Sequence, residues 1–595
     1  MIVKNEEKYL AKCLDSVKEL VDEMIIVDTG SIDATLDIAK EYGAKIFSFQ
    51  WDNNFSHARN FCISQASCEW LLLLDADEIL SSSSKEAFTK LINGSTADGC
   101  YFKLYNYNGV EDEEHFIIHE ALRLLRNHRP YEYRGAIHEQ VTSIENSDSI
   151  LSPFTSEDII LYHYGYLNDV VRAKQKHERN IPLIQTQLET EPNNPFYLFN
   201  LGNEYLALQD CQTALSYYQK AFEYIIDFRA GFIPHLYYKT ICCLLYLGDF
   251  KQTISLVTQG LQHFPLFADL LYFKGVAYYN THHYFLAIET LRRYLDMPTP
   301  PAGLQVTTIK ESATPYKILG ELYERVEADE LALNSYTHVL SLNSNLYHIL
   351  YKIAPLLKRY YKDSQMVATT LARYFTNLSD GKHLIIYVDL LFSIELYEEA
   401  SSFMHTLRNM KDFPLDALYL CGKYELFTHP TELTYYTFRE ILDLPYTPSL
   451  LPDVKSNTLK LLFIYTLLYQ EDKIPDILQL IHLSFPIPIQ KVYEVLYGIY
   501  CHQNLKDLPL LENPSISMPI VFDFLDSLLK LKAYDDFEKY LYALNLVNSN
   551  EVLLELAQLY DKHGLKDMAK SSILRSIKEL DTINRSAAHL LGALI

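Results

Sequence analysis

The stretch Leu71-Leu72-Leu73-Leu74-Asp75-Ala76-Asp77-Glu78 decides how the N-terminal part of this chain is read. Four consecutive leucines have the pattern of a strand buried on both faces, as in a parallel sheet. The run stops at three carboxylates interrupted by one small residue. Ligands of open α/β sheets bind at the carboxyl ends of the strands. Two aspartates one residue apart there offer oxygen ligands to a hard divalent cation that also holds phosphates. An isolated Asp-x-Asp is more plainly a solvated strand end, so the flanking sequence has to carry the choice.

Upstream, Met24 to Val27 reads as a buried strand ending at Asp28-Thr29-Gly30-Ser31. Ser31 is placed to cap a helix through Tyr42, and Gly43 supplies its C-terminal stop. Ala44 to Phe49 is a further strand, Phe55 to Ser67 a helix, and Trp70 to Leu74 the next strand. This alternation predicts a doubly wound parallel sheet, with Asp28 and Asp75/Asp77 facing one crevice.

Four separated segments then agree with one another: "MIVKNEEKYLAKCLDSVKELVDEMIIVDTGSIDAT", "FSHARNFCISQASCEWLLLLDADE", "RGAIHEQV" and "YHYGY". Together, over about 170 residues, they resemble a family 2 glycosyltransferase of GT-A fold, of the soluble bacterial kind fused to tetratricopeptide repeats. The resemblance implies a role for each matching position. Asp28 would recognise the nucleoside, with Asp33 close by. Asp75 would lie near the ribose, and Asp77 would hold a divalent cation, Mn2+ or Mg2+. Arg59 would sit near the donor diphosphate, where a guanidinium suits phosphate. The His138-Glu139 pair falls where relatives place substrate contacts and the carboxylate that deprotonates the acceptor; Glu139 takes the catalytic role and His138 a substrate-binding one. His163 matches a late histidine that serves as a second metal ligand. The donor implied is a nucleotide sugar, UDP-linked by preference, and the reaction inverts the anomeric centre. Relatives also carry several residues ahead of the segment beginning at Ile2, so this chain starts inside the expected first strand.

Plainer readings exist for the same residues. Asp28 suits a turn cap. Glu139, between Ile137 and Val141, suits a solvent-facing strand position, with His138 on the opposite face. His163 lies between tyrosines, as a hydrogen-bonded structural histidine does. His115 and His119 have no partner spacing that singles them out.

Beyond residue 170 the sequence follows a different principle. Residues 171–192 read as a helical link interrupted by Pro182. From 193 to 345 a repeat appears. Leu201-Gly202, Tyr205, Ala214, Tyr218 and Ala221 mark the first unit; Gly248-Asp249-Phe250 and Pro265 the second. Gly275, Tyr278, Tyr284 and Ala287 mark the third, and Gly320, Tyr323, Ala332 and Tyr336 a fourth after the Pro-rich stretch Met297 to Ala302. Small residues at these positions let two helices touch while large ones fill the neighbouring groove. Most of the 47 tyrosines lie in this half, and their recurrence at packing positions marks them as core rather than as a sugar shelf. From 346 to 595 the repeat decays but the helical period persists, and Pro486, Pro488, Pro509 and Pro514 punctuate a continuing solenoid.

Composition narrows the partners. A formal net charge of −24 argues against nucleic acid, whose backbone needs basic surface. No apolar run reaches the roughly 18 to 20 residues of a membrane span, and Lys4-Asn5-Glu6-Glu7 follows the start where a signal peptide would be apolar. Nine scattered cysteines contain no CxxC pair, so neither zinc nor a disulfide framework is indicated. The expectation is a cytoplasmic, metal-dependent α/β transferase with an all-α repeat region that recruits a protein or peptide acceptor. A lipid-linked or envelope saccharide acceptor, and a scaffold with a degenerate transferase domain, are the alternatives.

Overall fold

The computed structural model describes residues 1–95, 97–107, 116–127, 131–143, 153–165, 176–301, 303–304, 306–445, 448–501 and 505–594. The junction expected at 170/171, His115, Tyr166 and Ala302 lie outside these. The chain forms two compact units, Met1–Asn345 and Leu346–Ile595.

The first unit opens with β1 (Ile2–Val3), helix α1 (Leu10–Val17), β2 (Ile25–Asp28), α2 (Thr35–Glu41) and β3 (Lys45–Ser48). The strands form a parallel sheet in the order β1-β2-β3. Helix α1 buries Leu10, Cys13, Leu14 and Val17, the one-face spacing of an amphipathic helix. Ser31 does not cap α2, contrary to expectation. Its N–H is taken by the Asp28 carboxylate at 3.0 Å, and the helix begins only at Thr35, whose N–H and hydroxyl bond Asp33. Gly43, at φ +69°, provides the expected stop. Helix α3 (Phe55–Ser64) is capped by the Asn54 side chain, which accepts from His57 N–H.

The remaining strands are β4 (Trp70–Leu72), β5 (Glu78–Leu80), β6 (Gly99–Asn106), β7 (Ile117–Arg126), β8 (Tyr131–Arg134), β9 (Gln140–Ser143) and β10 (Pro153–His163). Five of them make a mixed sheet in the order β4-β7-β6-β10-β5. Here the single parallel sheet of the sequence reading needs correction. The leucine run enters as β4, antiparallel to β7, with Leu71 opposite Leu125 and Leu72 opposite Leu124. Of the four leucines only Leu71 and Leu74 are buried. Helix α1 joins the two sheets. Leu10 and Leu14 pack with Val3, Ile26 and Ala76, while Cys13 and Val17 pack with Leu74, Phe102 and Leu161. Ala76 thus ties the Asp75–Glu78 turn to the sheet whose second strand ends at Asp28.

Antiparallel helix pairs follow in the same unit: 195–207 with 211–223, 233–246 with 250–263, 268–280 with 284–296, and 314–325 with 329–342. Asn194, Asp210 and Asp249 cap the helices that they precede. The first, third and fourth pairs close over a missing side chain. A Cβ on Gly202 would lie 2.5 Å from the Tyr218 ring, one on Gly275 2.6 Å from Leu291, and one on Gly320 2.5 Å from the Tyr336 ring. Tyr218, Tyr237, Tyr294 and Tyr336 are fully buried.

The repeats clasp the α/β domain at two places. Ile137 packs with Ile184 and Leu201. Ile118 N–H donates to Val306 O at 2.8 Å and Phe116 N–H to Thr308 Oγ1 at 3.0 Å, so a segment between the third and fourth pairs extends the sheet beside β7. Buried Asp269 holds that segment by accepting from the N–H groups of Val306 and Thr307 and from the Thr307 hydroxyl.

The second unit is helical throughout its described regular structure, apart from one isolated bridge. Helices Pro414–Thr428 and Glu432–Asp443 repeat the close approach of the first unit, with Gly422 against the Phe438 ring. Val552–Lys562 and Lys566–Leu580 form a further pair joined through Gly564. Among the described residues no helix is long and apolar enough to cross a membrane.

Candidate active site

The turn between β4 and β5 carries Asp75, Asp77 and Glu78, and alternating charges radiate from it. Arg59 of α3 reaches Asp75 Oδ1 at 2.8 Å with Nη2 and Glu139 Oε1 with Nε. Arg123 of β7 reaches Asp75 Oδ2 at 3.3 Å and also meets Glu78 Oε1. The result is an unbroken chain, Glu139–Arg59–Asp75–Arg123–Glu78. Its members are largely withdrawn from water, and Glu78 is fully buried. Burial alone raises the Asp75 pKa, but the two guanidiniums outweigh it and hold the carboxyl below its usual range. Burial dominates at Glu78 and pushes it up, against the pull of Arg123. The Arg59 guanidinium also lies over the Tyr133 ring, 5.6 Å from its centre.

A second cluster surrounds Asp77, which is buried. His163, the last residue of β10, places Nε2 3.4 Å from Asp77 Oδ1. Its Nδ1 lies 2.7 Å from Asn106 Oδ1. The amide nitrogen of Asn106 points at the carbonyls of Leu104 and Ile117, which only accept, so Oδ1 is the end that faces His163. Nδ1 therefore carries the hydrogen, and in the neutral ring the Nε2 lone pair is left facing a carboxylate oxygen. Two acceptors so arranged need a cation between them, a proton or a metal ion. Gly165 lets both groups approach its backbone: a Cβ there would overlap them, 2.5 Å from His163 Nε2 and 2.9 Å from Asp77 Oδ2. Tyr164 N–H donates to Asp77 O at 3.0 Å, and its ring stacks on Tyr9 and lies against Tyr107.

The other expected site residues are placed as follows. Asp28, buried at the end of β2, accepts from the N–H groups of Gly30 and Ser31. Asp33 accepts from the N–H of Glu7 and from Thr35. These bonds outweigh its burial, and its pKa is lowered. His138 and Glu139 precede β9 in an irregular turn rather than a strand, and His138 adopts a left-handed φ of +52°. The two side chains diverge: Glu139 turns to Arg59, and His138 Nε2 to Glu204 of the first repeat, 4.0 Å away. Burial lowers the His138 pKa, opposed by Glu204 and Glu139. Arg59 is occupied by two carboxylates. Sequence reasoning missed Arg123, Glu78, Asn106 and Gly165. A fully buried Glu78 requires a cation, but nothing in spacing says which arginine supplies it.

An α/β domain with a carboxylate cluster at a strand end is followed here by tetratricopeptide-type helix pairs, and residues 1–149 match the family model "Glycosyl transferase family 2". Among curated relatives, the SPbeta prophage-derived glycosyltransferase SunS of Bacillus subtilis is 30% identical over 283 residues, 46% of this chain and 65% of SunS. A TPR repeat-containing protein of Synechococcus elongatus is 34% identical over 212 residues, 34% of this chain and 50% of that protein. The chain thus spans between half and two thirds of the length of these relatives. Among solved structures, the C-terminal part of a TPR repeat-containing protein from Cytophaga hutchinsonii is similar at 15% identity and a TM-score of 0.31, covering 49% of this chain and 97% of that one. The repeat assignment rests on the helix pairs described above and not on that likeness.

Proposed function

We propose that this chain transfers a sugar from a nucleotide-sugar donor, UDP-linked by preference, to a protein or peptide acceptor recruited by the repeats, with inversion at the anomeric carbon. The observation that carries the reading is the facing pair Asp77 and His163, which the missing side chain of Gly165 admits side by side. An oxygen and an imidazole nitrogen suit Mn2+ or Mg2+, with the remaining positions left to phosphate and water. Bound there, the cation supplies charge neutralisation for the departing diphosphate.

The chain's own residues do the rest. Asp28 and Asp33 order the loop after β2 against which the nucleoside would lie. Asp75, ionised by its two arginines, faces the ribose. Arg59 acts as a strut that fixes Asp75 and Glu139 relative to one another, not as a diphosphate ligand. Glu139 takes the acceptor proton as the acceptor atom bonds to the anomeric carbon and the carbon–oxygen bond to the diphosphate breaks. His138, turned toward Glu204, shapes the acceptor side of the turn.

Donor hydrolysis by the purified chain tests this, across a panel of nucleotide sugars with Mn2+, Mg2+ or chelator, with candidate acceptor peptides added. The expected result is metal-dependent release of a nucleoside diphosphate from one donor, reduced at least 10³-fold in Asp77→Ala. Donor binding and turnover that persist unchanged in chelator would end the metal assignment.

A further inference from the structure

We propose that Asn106, together with the stacked imidazoles of His119 and His235, forms the outer support of the Asp77–His163 pair, so that the second repeat helps to build the metal site. The inference rests on the metal reading above.

The contacts run in one line. Asn106 Oδ1 accepts from His163 Nδ1 at 2.7 Å, which commits the Nε2 lone pair to the side of Asp77. On its other side, Asn106 Nδ2 lies 2.9 Å from His119 Nδ1 and near two carbonyls, so the carboxamide cannot turn over without losing all three acceptors. His119 in turn stacks on His235, with ring centres 4.0 Å apart and planes 20° from parallel. His235 belongs to the first helix of the second repeat (Ile233–Tyr246).

Both imidazoles are held neutral. Burial, reinforced by the ammonium of Lys239, pushes His119 down to about 3 and His235 well below its ordinary value. A neutral His119 can accept from the Asn106 amide, whereas an imidazolium could not. Among the described residues His235 Nδ1 has no hydrogen-bond partner although it is buried. Hydrogen bonding at that atom therefore does not account for a histidine there; its ring contact with His119 does. Partners of this kind around a ligating histidine typically change metal affinity 10- to 100-fold.

Asn106 and His235 are positioning residues, so the test reads metal binding rather than turnover. Mn2+ alone is titrated into the full chain and free Mn2+ is followed by electron paramagnetic resonance. Asn106→Leu is expected to weaken binding about 10- to 100-fold, with thermal unfolding monitored in parallel. Asn106→Asp, which still accepts from Nδ1–H but cannot donate to His119 or the two carbonyls, is expected to fall between the parent and Asn106→Leu, and His235→Ala to lose several-fold. In the metal-free protein, histidine ¹⁵N shifts should report the Nδ1–H tautomer for His163 in the parent and a mixture in Asn106→Leu. Binding that Asp77→Ala abolishes but Asn106→Leu leaves intact would overturn this proposal and spare the metal reading. An Asp variant as weak as the Leu variant would overturn it too, and an unaffected His235→Ala would remove the repeat's share. No Mn2+ binding by the parent chain would take down both.

Discussion

The turn at the end of β4 and the helix pairs of the repeats both depend on a glycine that leaves out a side chain, and they fill its place with different chemistry. In the pairs the gap is filled at once: Gly202 and Gly320 admit a tyrosine ring, Gly275 a leucine. In the α/β domain the place of the missing side chain beside Gly165 is taken by two polar acceptors, His163 Nε2 and Asp77 Oδ2. The helix pairs close by shape, the strand-end turn of the α/β domain by paired charge. Shape tolerates drift in sequence, which fits a repeat pattern that decays along the chain while the helices persist. Paired charge does not, because removing one partner strands the other in a low-dielectric interior.

The sharpest way to break this contrast is Arg123→Met. It leaves Glu78 buried without its cation, and a loss of about 3 to 5 kcal/mol is expected by urea unfolding. A loss near 1 kcal/mol would mean that the charge chain is slack. Next is Gly165→Ala. The added methyl must displace His163 or Asp77, so turnover and Mn2+ affinity should fall, turnover by about 10²-fold, whereas Gly320→Ala should cost about 1 to 3 kcal/mol of stability with Mn2+ affinity unchanged. If the two glycines exchanged phenotypes, the distinction between a place filled by ligands and one filled by core would fail.

Acidification gives a smaller effect with a definite sign. The folded pKa of His119 lies near 3, below the unfolded value of about 6.5. The unfolded chain therefore binds the extra proton between these values. Stability is fully present above pH 6.5 and is lost as pH falls toward 3, at about 1.4 kcal/mol per unit for this group. Urea midpoints measured from pH 7 to 5 should show at least that slope, since His235 and His138 are lowered as well, and His119→Phe should reduce it without abolishing it. The smallest effect expected is Tyr336→Phe, which removes a hydrogen bond to Glu324 of 3.0 Å and about 1 kcal/mol; an unchanged midpoint would assign Tyr336 wholly to packing.

What could be read from the sequence follows the same division. Helix pairs were legible because Gly202, Tyr218, Gly320 and Tyr336 are local marks at fixed spacing, each interacting with a partner a few turns away. The α/β class was legible from alternation, but strand pairing was not. The leucine run has the composition of a parallel strand, and it pairs antiparallel with β7 through residues some fifty positions later. Asp75, Asp77, Arg59 and His163 stood out by motif. Arg123 and Asn106 did not, because their importance lies in what they touch, and a sequence does not show which arginine will be buried against which glutamate. Ser31 misled for a related reason: Asp28 and Asp33 compete for the N–H groups of its turn.

The segment that adds itself to β7 between the third and fourth helix pairs bears on how such a chain can be rebuilt. Val306 and Thr308 are bonded to the domain's own sheet, and Ile137 sits against Leu201. The first four pairs are therefore not a detachable adaptor, and a graft that swapped them would also remove part of the sheet. Chimaeras are therefore better joined at Asn345/Leu346, where the chain passes from one compact unit to the next.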